Sequence, residues 1–216
     1  MSVGAVIFDM DGLLVDSERA ILECWRSAAA EQALALDDGL WLSMVGMHDA
    51  ACTELLAGLL GPARAERLAR DCKQRYDLRV EQGLPLKDGA AELLDELSAR
   101  GVPLAIATST RRERALVKLA RCGIDHHFRA VATSSDVVHP KPAADIYLLA
   151  ASRLGVPPKE CVALEDSELG VRAAAAAGMD VIQVPDLVPA SALSRSLAQV
   201  AVTLHEAGAL LKSRLA

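Results

Sequence analysis

Apolar residues follow two rhythms along this chain, and the change between them divides it. Val3–Phe8 is a short, partly β-branched apolar run ending at Asp9, which predicts a buried strand. From Glu18 the spacing becomes helical, with Ala20, Ile21, Cys24, Trp25 and Ala28 on one face. Leu40, Trp41, Met44 and Val45 predict a second, short helix, and Asp49 an N-cap for a third that contains Leu55, Leu56 and Leu59. Gly61 ends that helix, and Pro62 suits the first turn of a fourth, whose apolar face is Ala65, Leu68, Cys72, Tyr76 and Val80. No strand pattern occurs between Ser17 and Gln82.

After Gly83-Leu84-Pro85 helices and strands alternate. Asp88 is expected to cap a helix with Ala90, Leu93, Leu94 and Leu97 inside, closed by Gly101. Strands are predicted at Val102–Ala107, Ala130–Thr133, Val162–Leu164 and Val181–Val184. The helices between them are Arg112–Cys122, Ala143–Leu154 and Ser167–Ala177. The tail, Val200–Leu215, adds a short strand and a helix. Alternation of this kind implies a parallel sheet covered on both faces, and the first strand needs that sheet for partners. The expected fold is therefore α/β, a Rossmann-like parallel-sheet core from residues 1–16 and 83–216. An all-helical cap, residues 17–82, is inserted between hinges near Val15–Ser17 and Gln82–Pro85.

Composition narrows the partners. Hydrophobic residues make up 52% of the chain, enough for a sizeable core, and the net charge is −6 with no basic run, which disfavours nucleic acid. The cysteines, Cys24, Cys52, Cys72, Cys122 and Cys161, are scattered and never spaced as CxxC, so they are expected to be buried thiols in a reducing compartment. Neither a basic-then-apolar leader nor an apolar stretch of about 20 residues is evident. A cytoplasmic monomer without a membrane partner is the expectation.

Polar residues mark the carboxyl ends of the predicted strands, where open α/β sheets bind ligands. Asp9 and Asp11 follow the first, Thr108 the second, Lys141 the third, and Glu165-Asp166 end the fourth. Singly, each is an ordinary turn, cap or loop residue; their joint occurrence in this order points to phosphoryl transfer. A phosphate monoester repels an anionic nucleophile, so the site must first neutralise its charge. Asp9 and Asp166 can hold Mg²⁺, and Lys141 adds a second positive charge. The Thr108 hydroxyl and backbone N–H groups near Asp11, Gly12 and Ser109 can donate to phosphate oxygens. Asp9 can act as nucleophile, and Asp11 as the acid that protonates the leaving oxygen and the base that activates water.

The run Phe8-Asp9-Met10-Asp11-Gly12-Leu13-Leu14-Val15-Asp16-Ser17-Glu18 resembles the first motif of the haloacid dehalogenase-like hydrolases. Thr108, Lys141 and Glu165-Asp166 match the other three. Lys141–Tyr147 and Leu164–Ser167 resemble the branch containing β-phosphoglucomutase and sugar-phosphate phosphatases. The resemblance implies a helical cap where the insert lies. It also implies Mg²⁺ on Asp9, the Asp11 main-chain carbonyl and Asp166, with Glu165 close by, and a small phosphorylated metabolite as substrate. Gly46 and His48 fall in a loop similar to the specificity loop of that branch. A phosphomutase is the nearest alternative. It is disfavoured because mutases of the branch keep a histidine where this chain has Ile21, and a Gly-x-x-Arg loop where it has Gly46-Met47-His48-Asp49. A receiver-like signalling module is disfavoured by the reversed order of its acidic pair and acceptor Asp, and a carbon–halogen dehalogenase by the presence of Asp11 and Gly12.

Overall fold

The computed structural model describes residues 3–45, 47 and 49–215. They form two compact units: the residues up to Asp16 together with those from Pro85 onward, and Ser17–Leu84. The first unit is built on six strands, β1 (Ala5–Phe8), β2 (Leu104–Thr108), β3 (Ala130–Thr133), β4 (Cys161–Glu165), β5 (Asp180–Gln183) and β6 (Gln199–Val200). All neighbours are parallel, in the order β3-β2-β1-β4-β5-β6. From β1 the chain builds outward to β2 and β3, then returns to lay β4, β5 and β6 on the other side. The carboxyl end of β1 is thus the switch point at which such sheets open a crevice.

The second unit is all helical: α1 (Ser17–Glu31), α2 (Asp38–Ser43), α3 (Asp49–Leu60) and α4 (Pro62–Gln82). Asp37 caps α2 by accepting from the Leu40 N–H. Trp25 and Trp41 are buried and stacked, with ring centroids 6.3 Å apart and planes 19° from parallel, so they serve as core. The two connections to the first unit leave it side by side. The Asp16 N–H donates to the Pro85 carbonyl at 2.9 Å and the Lys87 N–H to the Leu14 carbonyl at 2.8 Å.

The sheet is flanked by α5 (Ala90–Ala99), α6 (Arg112–Arg121), α7 (Asp145–Leu154), α8 (Glu168–Ala176), α9 (Ala192–Leu197) and α10 (Leu204–Leu215). Small residues on one sheet face, Ala5, Ala105, Ala107, Ala132 and Ala163, let α7 and α8 pack closely through Ile146, Tyr147, Ala150, Val171 and Ala174. Val6, Phe8, Leu104, Ile106, Val162 and Leu164 alternate with these and are also buried, as a sheet covered on both faces requires. Two expectations need correction. Gly89, not Asp88, is the N-cap of α5, at φ +81°. His205 packs so close that a Cβ at Gly89 would lie 3.0 Å from its ring, while the Asp88 side chain stays in solvent. The second is α9, a helix that the hydrophobic periodicity does not predict: six residues hold less than two turns of period.

Candidate active site

β1 delivers Asp9 to the switch point. Phe8 is in register with Leu164 of β4 and Ile106 of β2, so Asp9 stands level with Glu165. The chain then folds back on itself: the Leu14 and Val15 N–H groups both donate to the Met10 carbonyl. Met10, Leu13, Leu14 and Val15 go inside, leaving the Asp11 side chain 21% exposed. Gly12 makes this turn at φ +82°, a conformation costly for residues with a side chain. Its N–H donates to the Val15 carbonyl at 3.0 Å, so this expected phosphate donor is engaged within the turn instead.

Lys141 joins the two central strand ends. Its Nζ donates to Oδ1 of Asp9 at 2.6 Å and to Oε1 of Glu165 at 2.5 Å, and its side chain is 5% exposed. Burial opposes charge on Lys141, but the Asp9 and Glu165 carboxylates outweigh it and hold the ammonium well above its ordinary range. Burial dominates at Asp9 and pushes its carboxyl up to about 7. Lys141 opposes that rise, and Glu165 and Asp11 add to it.

Glu165 is fully buried and accepts from five donors. Lys141 Nζ and the Tyr147 hydroxyl bond Oε1; the Asp166 and Ser167 N–H groups and the Ser167 hydroxyl bond Oε2. The Asp166 carbonyl accepts from Gln183 Nε2 at 2.9 Å. Thr108, buried at the end of β2, accepts the Thr110 N–H on its hydroxyl, and Ser109 beside it is exposed. Asp11 is bonded at both oxygens, by Lys118 Nζ at 2.5 Å and the Thr110 hydroxyl at 2.6 Å.

The sequence-predicted residues Asp9, Glu165 and Asp166 converge, and Asp11 and Lys141 join them through bonds and charge. Carboxylate oxygens of Asp9, Glu165 and Asp166 lie within 4.8 Å of one another, and such an all-oxygen donor set suits a hard cation. Gly46 and His48 lie outside the described residues. The sequence pattern gives no role to Lys118, Thr110, Tyr147 or Gln183. Lys118 carried a signal, a charge three residues from Ala115 on the buried face of α6.

The family model for haloacid dehalogenase-like hydrolases matches residues 3–178. A fructose-1-phosphate phosphatase of Escherichia coli, YqaB, is 34% identical over 83% of this chain and 95% of its own. A phosphorylated carbohydrates phosphatase of Thermotoga maritima is 31% identical over 82% of this chain and 83% of its own. Among solved structures, a hydrolase of the same family from Deinococcus radiodurans, with bound phosphate and sodium, superimposes with a TM-score of 0.84. It is 32% identical, over 98% of this chain and 96% of the other.

Proposed function

The chain belongs to the haloacid dehalogenase-like hydrolases, and from that premise we propose that it is a Mg²⁺-dependent phosphatase acting on small phosphorylated sugars through an aspartyl-phosphate on Asp9. One observation carries this reading: Asp9 is bonded to Lys141 at the switch point, beside Glu165 and Asp166. Sugar phosphates are inferred because the relatives named above act on phosphorylated carbohydrates.

Asp9, Asp166 and the Asp11 main-chain carbonyl would hold the cation, with Glu165 able to join only by giving up one of its five donors. Mg²⁺, when bound, supplies positive charge to the phosphate oxygens. Lys141 neutralises a further oxygen, and the Thr108 hydroxyl and Ser109 N–H donate to others. An oxygen of Asp9 attacks phosphorus as the bond to the leaving oxygen breaks, and Asp11 gives that oxygen its proton. Water then attacks the aspartyl-phosphate, Asp11 takes its proton, and inorganic phosphate leaves as the bond to Asp9 breaks. No helix among the described residues is long and apolar enough to cross a membrane, and none of the five cysteines forms a disulfide. A cytoplasmic setting accords with those thiols.

Phosphate release from a panel of sugar phosphates, with and without Mg²⁺, tests the reading. Turnover should require Mg²⁺ and fall by at least about 10⁴-fold in Asp9→Asn, since no step can proceed without the nucleophile. Wild-type turnover in Asp9→Asn would discard the mechanism.

A further inference from the structure

Lys118 is the second buried ammonium of the sheet unit, and the roles above leave it unused. It lies in the last turn of α6 among Ala115 and Leu119, both buried, and its own side chain is 4% exposed. Lysine is almost never so enclosed unless paired. It donates to Oδ1 of Asp11, at 2.5 Å, while Oδ2 accepts from the Thr110 hydroxyl at 2.6 Å. The two donors differ in kind. An ammonium only donates, so Oδ1 can face it only as an acceptor. A hydroxyl both donates and accepts. A proton carried by Asp11 therefore has its place on Oδ2, where the Thr110 hydroxyl can turn to accommodate it.

We propose that Lys118 is a positioning residue for proton transfer to the leaving group: it holds Asp11 by Oδ1 and so reserves Oδ2 as the oxygen that exchanges the proton. The proposal rests on the phosphatase reading above. When the phosphorus–oxygen bond breaks, the proton on Oδ2 passes to the leaving oxygen, which departs as an alcohol. When water attacks the aspartyl-phosphate, Oδ2 takes up its proton, which restores Asp11. Lys118 exchanges no proton itself.

The test compares two esters in Lys118→Met: a hexose phosphate, whose alkoxide leaves only with a proton, and p-nitrophenyl phosphate, whose phenolate leaves without one. For the hexose phosphate kcat/KM, which reports the steps through leaving-group departure and not the hydrolysis of the aspartyl-phosphate that both esters share, should fall by about 100-fold, the lower end of what general acid catalysis contributes, and for the aryl ester by less than about threefold. In an Asp11→Asn background, adding Lys118→Met should change neither rate further, because both substitutions remove one coupled function. Equal losses of kcat/KM on the two esters, or a further loss in the Asp11→Asn background, would overturn the proposal. If Lys118→Met fails to fold, Lys118→Gln, too short to reach Oδ1, replaces it, and the same losses on the two esters support or overturn the role of Lys118. Asp9→Asn separates this role from the phosphatase mechanism. If it keeps turnover, the phosphatase mechanism has failed; if it is inactive while Lys118→Met treats both esters alike, only the role of Lys118 has failed.

Discussion

Glu165 accepts five hydrogen bonds with no exposure to water, so any rearrangement around it must break one of them. Gly170, one turn into α8, shows how tight the enclosure is. A Cβ there would lie 1.8–2.2 Å from the Glu165 carboxylate. Gly→Ala inside a helix ordinarily stabilises by up to ~1 kcal/mol. Here the sign should reverse. Gly170→Ala is expected to cost about 1–3 kcal/mol in urea unfolding, through overpacking. It should also weaken Mg²⁺ binding by about 10-fold or more, because a group supporting the ligands has moved. Calorimetric titration with Mg²⁺ checks the second half, and wild-type affinity would mean that Glu165 does not support the cation. Tyr147→Phe removes one donor without adding bulk, and should cost about 1.5–3 kcal/mol, the value of a hydrogen bond to a charged acceptor. Asp166→Asn should leave the fold intact and act mainly on Mg²⁺ affinity, read in the same titration.

At the scale of elements, β3 ends the sheet, and its outer edge is covered by side chains in place of a strand. The Val131 carbonyl accepts from Arg112 of α6 at 3.1 Å and from Arg153 of α7 at 2.5 Å. Asp136 gathers both guanidinium groups and also accepts the Thr133 N–H and hydroxyl. Burial alone would push the Asp136 carboxyl up, but the bonds from Arg112, Thr133 and Arg153 outweigh it and hold it well below the usual carboxylate range. A carboxyl depressed in the folded state gives stability that is present above its unfolded pKa, about 3.9, and is lost as pH falls through the lower folded value. Asp136→Asn should therefore cost ~2 kcal/mol near neutrality, and the gap to wild type should shrink steadily as pH drops below about 4. A gap constant with pH would show that the carboxylate charge contributes nothing. Nothing local in the sequence says that Arg112, Asp136 and Arg153, from three elements, meet there. The first five strands, by contrast, were legible within a few residues because each is short, largely apolar and bounded, whereas β6, Gln199–Val200, is too short and polar to be placed within the tail. The convergence of Asp9, Glu165 and Asp166 was legible because they stand at the ends of β1 and β4. Lys118 and Tyr147 reach the site from helices, and that approach depends on which way α6 and α7 pack.

For the whole molecule, the decisive feature is where the helical unit leaves the sheet unit. Val15 and Leu86 form an antiparallel bridge, and the Asp16 N–H meets the Pro85 carbonyl at 2.9 Å. The ends left by removing Ser17–Leu84 are therefore already within hydrogen-bonding distance, so a turn of about two to four residues could close them. Such closure adds little loop entropy, and the six strands, α5–α10 and the residues that gather around Asp9 all belong to the remaining unit. Replacing Ser17–Leu84 with a short Asn-Gly turn is expected to give a chain that unfolds in one cooperative step and still binds Mg²⁺. If the helical unit governs substrate choice, the shortened chain should hydrolyse p-nitrophenyl phosphate while losing its preference among sugar phosphates, because the strand ends supply the chemistry and the insert the selection. Unfolding curves, a Mg²⁺ titration and the ratio of kcat/KM values across the ester panel measure the three parts. Retained sugar preference would place specificity in the sheet unit itself, and a shortened chain that does not fold would show that the two units share one stability.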